Sequence, residues 1–304
     1  MRHKMLIHIG YHKTGTTWLQ NAFFPHHSDL SIVGQYPDLA EQVINPDGLE
    51  FDASVARRFY QPRIVAAVAA SRIPVLTTER LSGNPHSGGY DSRTIADRLH
   101  DAFPQASILI MVRHQVDMAV SMYKQYVRMG GVCTLHEYLF PPVDGRIPLF
   151  RMEFLEYHRL AEYYARLFGA ERVRVMVYEQ FRDDPAAFLD ELCAFLAIRR
   201  DVSFPVHERV NESLSDFATL LKRRVNRWHG GDSLFPVTPP VPRLTGGLFR
   251  AIERLDRAGL SKLFSANLKR EAVGLIQGRF GASNRELART FGLDLAQYGY
   301  EMQG

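Results

Sequence analysis

Cysteine is nearly absent: the 304-residue chain holds two, Cys133 and Cys193. Two thiols this far apart exclude a disulfide scaffold and a cysteine-rich metal site, and they read best as small buried residues in a reducing compartment. Long apolar runs are missing as well. No stretch approaches the ~18 residues that a spanning helix requires. The short apolar segment after Arg2 and Lys4 is broken by His8 and His12, unlike a secretory leader. Nor is one sign of charge in large excess, since 37 Lys and Arg stand against 33 Asp and Glu, +4 overall. So mild a surplus fits an anionic ligand but gives no ground for nucleic acid or a membrane surface as partner. Repeats and low-complexity tracts are lacking too, apart from a Pro- and Gly-rich stretch at 233–247 that reads as a loop or lid. A cytoplasmic protein is the expectation.

What the chain does have is alternation. Apolar strands are expected at 5–10, 73–78, 106–112 and 172–178. Helical spacing falls at 16–24, 91–103, 115–127, 154–169 and 184–198, the last with Pro185 at its first position. Residues 51–60 and 63–71 also read as helix, with a break expected at Pro62. Continuously apolar strands between helices predict a parallel sheet covered on both faces, a three-layer α/β/α fold. Such sheets collect ligands at the carboxyl ends of their strands. Gly10–Thr17, Glu79 and Arg113 all lie there. After residue 200 the chain reads as mostly helical, with helices at 214–228, near 247–258 and at 269–279.

The stretch Gly10-Tyr-His-Lys-Thr-Gly-Thr-Thr17 joins the first strand to the first helix. The free N–H groups of a helix start and its dipole favour an anion there. Gly15 permits close backbone approach, Thr16 and Thr17 bring hydroxyls, and Lys13 adds a point charge. A nucleoside-triphosphate loop places its lysine after the last glycine, next to a magnesium-binding hydroxyl. Here the lysine precedes Gly15, and no acidic magnesium partner follows a later strand. The pattern therefore keeps a phosphate cradle and loses the metal chemistry. Further on, Arg113 ends a strand and Ser121 follows eight residues later, close to one helix face. An arginine fork beside a hydroxyl suits a terminal phosphate. Each segment alone also fits a bland reading: a strand–helix turn with a surface lysine, and a structural arginine with a buried helical serine.

Together the two segments resemble the sulfotransferase family, in its bacterial, carbohydrate-type members. Lys13-Thr14-Gly15-Thr16-Thr17-Trp18-Leu19 is similar to that family's 5′-phosphosulfate loop. Arg113, Ser121 and Tyr123 match its 3′-phosphate element, although Gln115 stands where the family usually has proline. The segment 172–198 and the tail 283–300 also look like the family's, and Tyr178 and Glu179 read as scaffold. The resemblance implies a P-loop-NTPase-like sheet and a single domain over 1–304. That domain would hold a nucleotide-binding core at 1–200 and a helical region with the 233–247 loop at 201–304. It also implies 3′-phosphoadenosine-5′-phosphosulfate (PAPS) as co-substrate, adenosine 3′,5′-bisphosphate (PAP) as product and no metal. Lys13, Thr14, Gly15, Thr16, Thr17 and Trp18 would then hold the phosphosulfate, and Arg113 and Ser121 the 3′-phosphate.

Sulfuryl transfer to a hydroxyl needs a base. Glu79 ends an apolar strand, and its segment resembles those in which sugar-directed members place a glutamate base after the second strand. The expected acceptor is accordingly a glycan or glycolipid. His12 is the rival base, while His114 reads as structural or near the adenosine. The pair His26-His27 reads as surface, and Lys222-Arg223-Arg224-Arg227 as a solvated basic face. Two other readings stay open: a magnesium-dependent small-molecule kinase on a degenerate phosphate loop, and a non-catalytic nucleotide- or glycan-binding protein.

Overall fold

The computed structural model describes residues 5–142, 147–200, 214–228 and 267–303, together with 247, 250–252, 254 and 256. The 233–247 loop (save 247), the polar stretch holding Asn211 and Ser213, to which the sequence assigns no contact, and most of the helix expected near 247–258 lie outside the described residues.

Five strands form one sheet: β1 (Leu6–His8), β2 (Leu30–Gly34), β3 (Ile73–Thr77), β4 (Ser107–Val112) and β5 (Val173–Val177). Their order is β2-β3-β1-β4-β5, and every neighbouring pair is parallel. From β1 the chain runs to the edge at β2, returns inward to β3, then crosses β1 to β4 and β5, so the crevice above β1 and β4 is the topological switch. The strand carrying Glu79 at its end is therefore the third in chain order, because β2 precedes it.

Period-two alternation sorts the strand residues into two cores. Ile108, Ile110 and Val112 face one side, which is covered by α2 (Ala53–Ala69), α3 (Ser92–Ala102), α4 (Gln115–Arg128) and α6 (Tyr157–Phe168). Leu109 and Met111 face the other, covered by Trp18, Leu19 and Phe23 and by α8 (Pro185–Leu196). Two short helices lie between, α5 (Leu135–Leu139) and α7 (Tyr178–Asp183). This is a three-layer α/β/α fold. Toward the C-terminus come α9 (Asp216–Trp228), α10 (Leu268–Ile276) and α11 (Gly281–Phe291). Leu268, Ala272, Ile276, Phe280 and Leu287 join the first core rather than forming one of their own.

The helix expected to break at Pro62 runs through it. A proline inside a helix costs about 3 kcal/mol. Pro62 is exposed, and burial of Ala56, Tyr60 and Ala67 on the opposite face offsets the lost bond, since one large buried side chain contributes roughly 1.5–3 kcal/mol. Asp52 caps the start by accepting from the Ser54 amide at 2.7 Å. His27 is buried, not on the surface: its Nδ1 accepts from the Asp29 amide at 3.1 Å, so Nε2–H donates to the Arg199 carbonyl at 2.9 Å. The basic face of α9 is only half solvated, because Lys222 is buried and Arg223 donates to the Tyr123 hydroxyl at 3.3 Å. Both cysteines are free, Cys193 buried and Cys133 half-buried.

Candidate active site

The loop after β1 is pinned to both cores. Tyr11 is buried against Phe154 and Tyr157, ring centroids 5.0 and 4.8 Å away, and Trp18 packs on Phe181 at 5.0 Å. Between these anchors the backbone curls. Lys13 has φ 65° and Gly15 φ 81°. A Cβ on Gly15 would meet Phe181 at 3.2 Å, so both the left-handed conformation and the close packing call for glycine. The buried Thr14 hydroxyl donates to the Tyr11 carbonyl. α1 (Thr16–Trp18) begins here and continues as a π-wound stretch, Leu19–Phe23. Its first inward bond runs from the Trp18 amide to the Gly15 carbonyl at 3.0 Å, so the amides of Thr16 and Thr17 lie ahead of the helical ladder.

Arg113 follows directly on β4. Its Nη1 donates to the Lys13 carbonyl at 3.0 Å, its guanidinium lies 4.8 Å from the Tyr178 ring centroid, and its own carbonyl accepts from the Tyr157 hydroxyl at 2.7 Å. The two segments singled out in the sequence thus meet at one rim. The Arg113 Nε is buried without a partner among the described residues, as are Trp18 Nε1 and His12 Nε2. Ser121 is half-buried on α4. Arg128 lies seven residues beyond it, and no ion pair to a described residue holds it. Burial lowers the Lys13 amine below its ordinary value, the Arg128 and Arg113 charges lower it further, and Glu79 opposes them. Lys13, Arg113, Arg128 and Glu79 therefore share one electrostatic field.

Glu79 opens a 3₁₀ turn, Glu79–Ser82, after β3. The Ser82 hydroxyl donates to its carbonyl at 2.8 Å, and Gln20 Nε2 donates to its Oε2 at 3.2 Å. Arg80 is taken up by an ion pair with Asp91. His12 is pushed down to about 3, first by burial and then by the His86, Arg80 and Lys13 charges. His86 falls to about 4 through burial and Lys13, and its Nδ1 meets the Tyr138 hydroxyl at 2.9 Å. Both imidazoles are neutral near pH 7. A cavity of about 480 Å³ lies beside Glu79, lined also by His12, Gln20, Asn21, Gln35 and Tyr36.

The contacts that brace the site through Glu179, His114 and Gln115 gave no readable signal in the sequence. Glu179 is buried and accepts from the His114 amide at 3.0 Å and the Tyr300 hydroxyl at 2.9 Å. His114 Nε2 meets the Gly299 carbonyl at 3.0 Å. Gln115 donates to Asn284 Oδ1 at 2.5 Å, and Asn284 donates to the Glu301 carbonyl at 2.9 Å. The chain's last residues thus brace the turn that carries Arg113. Arg128 alone had a signal available, since seven residues on from Ser121 is the same helix face. Among the described residues no group of three or more His, Cys, Asp or Glu side chains is arranged to hold a metal, and no helix is long and apolar enough to cross a membrane.

A family model described as the sulfotransferase family matches residues 6–201, well over half of the chain. No curated protein matches. Among solved structures, a sulfotransferase from Alicyclobacillus acidocaldarius is 23% identical, with 71% of this chain and 88% of that one covered and a TM-score of 0.48. Mouse sulfotransferase SULT7A1, complexed with PAP, is 16% identical, with 90% of each chain covered and a TM-score of 0.39. The sulfotransferase domain of the Synechococcus PCC 7002 olefin synthase is 16% identical, with 86% and 94% covered and a TM-score of 0.40.

Proposed function

Because this chain belongs to the sulfotransferase family, we propose that it is a single-domain, cytoplasmic, PAPS-dependent O-sulfotransferase acting on a hydroxyl of a carbohydrate or glycolipid. The observation that carries this reading is the bond from Arg113 to the Lys13 carbonyl, which puts both phosphate-type elements on one rim of the switch crevice. The residues present fit a sulfated nucleotide. The curled 13–15 backbone and the first-turn amides of Thr16 and Thr17 can cradle a phosphosulfate, with Trp18 locking the helix start. The unpartnered Arg113 Nε and the Ser121 hydroxyl stand ready for a 3′-phosphate.

In the transfer, the acceptor oxygen forms a bond to sulfur as the sulfur–oxygen bond to the phosphate breaks. Glu79 takes the acceptor's proton, and Lys13 stabilises the charge that develops on the leaving phosphate oxygen. His12 is the rival base; burial and the neighbouring His86, Arg80 and Lys13 charges hold its imidazole down to about 3.

Calorimetric titration tests the donor half: PAP binds without magnesium, and Lys13→Ala or Arg113→Ala weakens it. Tighter binding of ATP with magnesium would move the protein to the kinase reading. Glu79→Gln keeps PAP affinity and lowers turnover about a hundredfold or more. Full turnover in Glu79→Gln together with collapse in His12→Ala would transfer the base role to His12.

A further inference from the structure

The donor cradle occupies the β1–β4 side of the rim, and the cavity beside Glu79 opens on the β2–β3 side. Four segments converge on it, and His12 comes from the loop after β1. Gln20 and Asn21 come from the π-wound turn after α1, Gln35 and Tyr36 follow β2, and Thr78 and Glu79 follow β3. At about 480 Å³ it falls within the range of small-molecule sites, ~300–1,000 Å³. Glu79 and His12 are shared with the donor side, Glu79 through its influence on Lys13 and His12 as the neighbour of Lys13 in the loop after β1.

The wall has a definite chemistry. Among the residues lining it there is no aliphatic side chain larger than threonine. Gln20 is engaged with Glu79. The Asn21 and Gln35 amides bond to no other described residue, so their donors and acceptors are free for a ligand. A planar amide donates and accepts side by side, the pattern that vicinal hydroxyls of a sugar ring present in return. The Tyr36 ring, 69% exposed, offers a flat face for the C–H side of such a ring. The one guanidinium in the wall, Arg80, is ion-paired with Asp91 through Nη2, its Nη1 being buried without a hydrogen-bond partner among the described residues; His12 is neutral, and the Glu79 carboxylate repels an anion.

We propose that this cavity is the acceptor subsite and that it selects an uncharged, hydroxyl-rich ring through Asn21, Gln35 and Tyr36. The proposal rests on the sulfotransferase reading of the adjacent rim. The test titrates the full-length, PAP-loaded protein with three probes: methyl glucopyranoside, methyl glucuronide and a naphthol, followed by saturation-transfer NMR.

The neutral glycoside is expected to bind most tightly. Gln35→Leu and Asn21→Leu should each weaken it on the order of tenfold, the loss of one or two hydrogen bonds, with PAP affinity unchanged. Tighter binding of the glucuronide or the naphthol overturns the proposal. So does glycoside binding that ignores both substitutions, or no probe binding to a protein that holds PAP. If the glycoside binds and PAP does not, the donor reading fails and the cavity assignment stands.

Discussion

Gln115 is the position at which the proposed 3′-phosphate element departs from the proline that the family resemblance implies, and restoring that proline is a sharp test of what holds the site. The backbone accepts the change. Gln115 is the first residue of α4, where proline needs no N–H partner, and His114 before it has φ −47° and ψ 126°, an extended conformation that suits a residue preceding proline. Locally, Gln115→Pro should stabilise by roughly 0.4–1 kcal/mol through the unfolded chain. The tertiary term has the opposite sign. Gln115 and Asn284 are both almost fully buried, and the substitution strands Asn284 Oδ1 without its donor. An unsatisfied buried acceptor costs about 1–3 kcal/mol. The tertiary term is the larger at mid-range, for a net loss of roughly 0–2.6 kcal/mol centred on about 1 kcal/mol.

Urea denaturation measures that loss directly. In an Asn284→Leu background the same substitution should become neutral or stabilising, because no acceptor is left stranded. PAP affinity should change less than threefold, since Arg113 is held separately by Lys13, Tyr157 and Tyr178. A Gln115→Pro protein that is more stable than the parent, or equally destabilised with and without Asn284, refutes the reasoning.

Gly15→Ala should cost about 1 kcal/mol for the left-handed backbone, in addition to the 3.2 Å approach to Phe181, and should weaken PAP binding about tenfold by calorimetry; an unchanged affinity would disconnect the curl from the nucleotide. His8 is buried, bonded to Thr77 at 2.8 Å and held by desolvation at about 4 against an ordinary 6.5. The unfolded chain therefore binds the extra proton first, and stability is lost as pH falls from about 6.5 through 4, by about 3 kcal/mol in all. His8→Gln should flatten that part of a melting-temperature profile, and an identical acid limb would sink the assignment. Gln20→Met removes the donor that orients the Glu79 carboxylate and should lower kcat about tenfold with PAP affinity unchanged; in a Glu79→Gln background it should do nothing more, and multiplicative losses would mean that the two side chains act independently.

The sequence by itself determined the elements whose signals are local. β1, the curled loop and the start of α1 were legible because strand burial, glycine placement and helix-start chemistry all reside within about a dozen neighbouring residues. β4 was legible for the same reason, as an unbroken apolar run buried on both faces. β2 was not, because Leu30–Gly34 is an edge strand with half-exposed Ser31 and Ile32, and only its pairing with β3 makes it a strand. Pro62 misled because the packing that overrides it comes from Tyr60 against the distant Phe103. His27 and Lys222 misled because their burial is supplied by other segments. The same division runs through the site. Lys13 and Arg113 announce themselves by position in their own segments, but their meeting does not, since they lie a hundred residues apart. Gln20 beside Glu79, Glu179 beneath His114, and Asn284 against Gln115 are pairs in which neither partner is unusual alone. Hydrogen bonds between remote segments leave no periodicity in the chain; only the closed parallel sheet and the docking of the last helices decide which side chains meet.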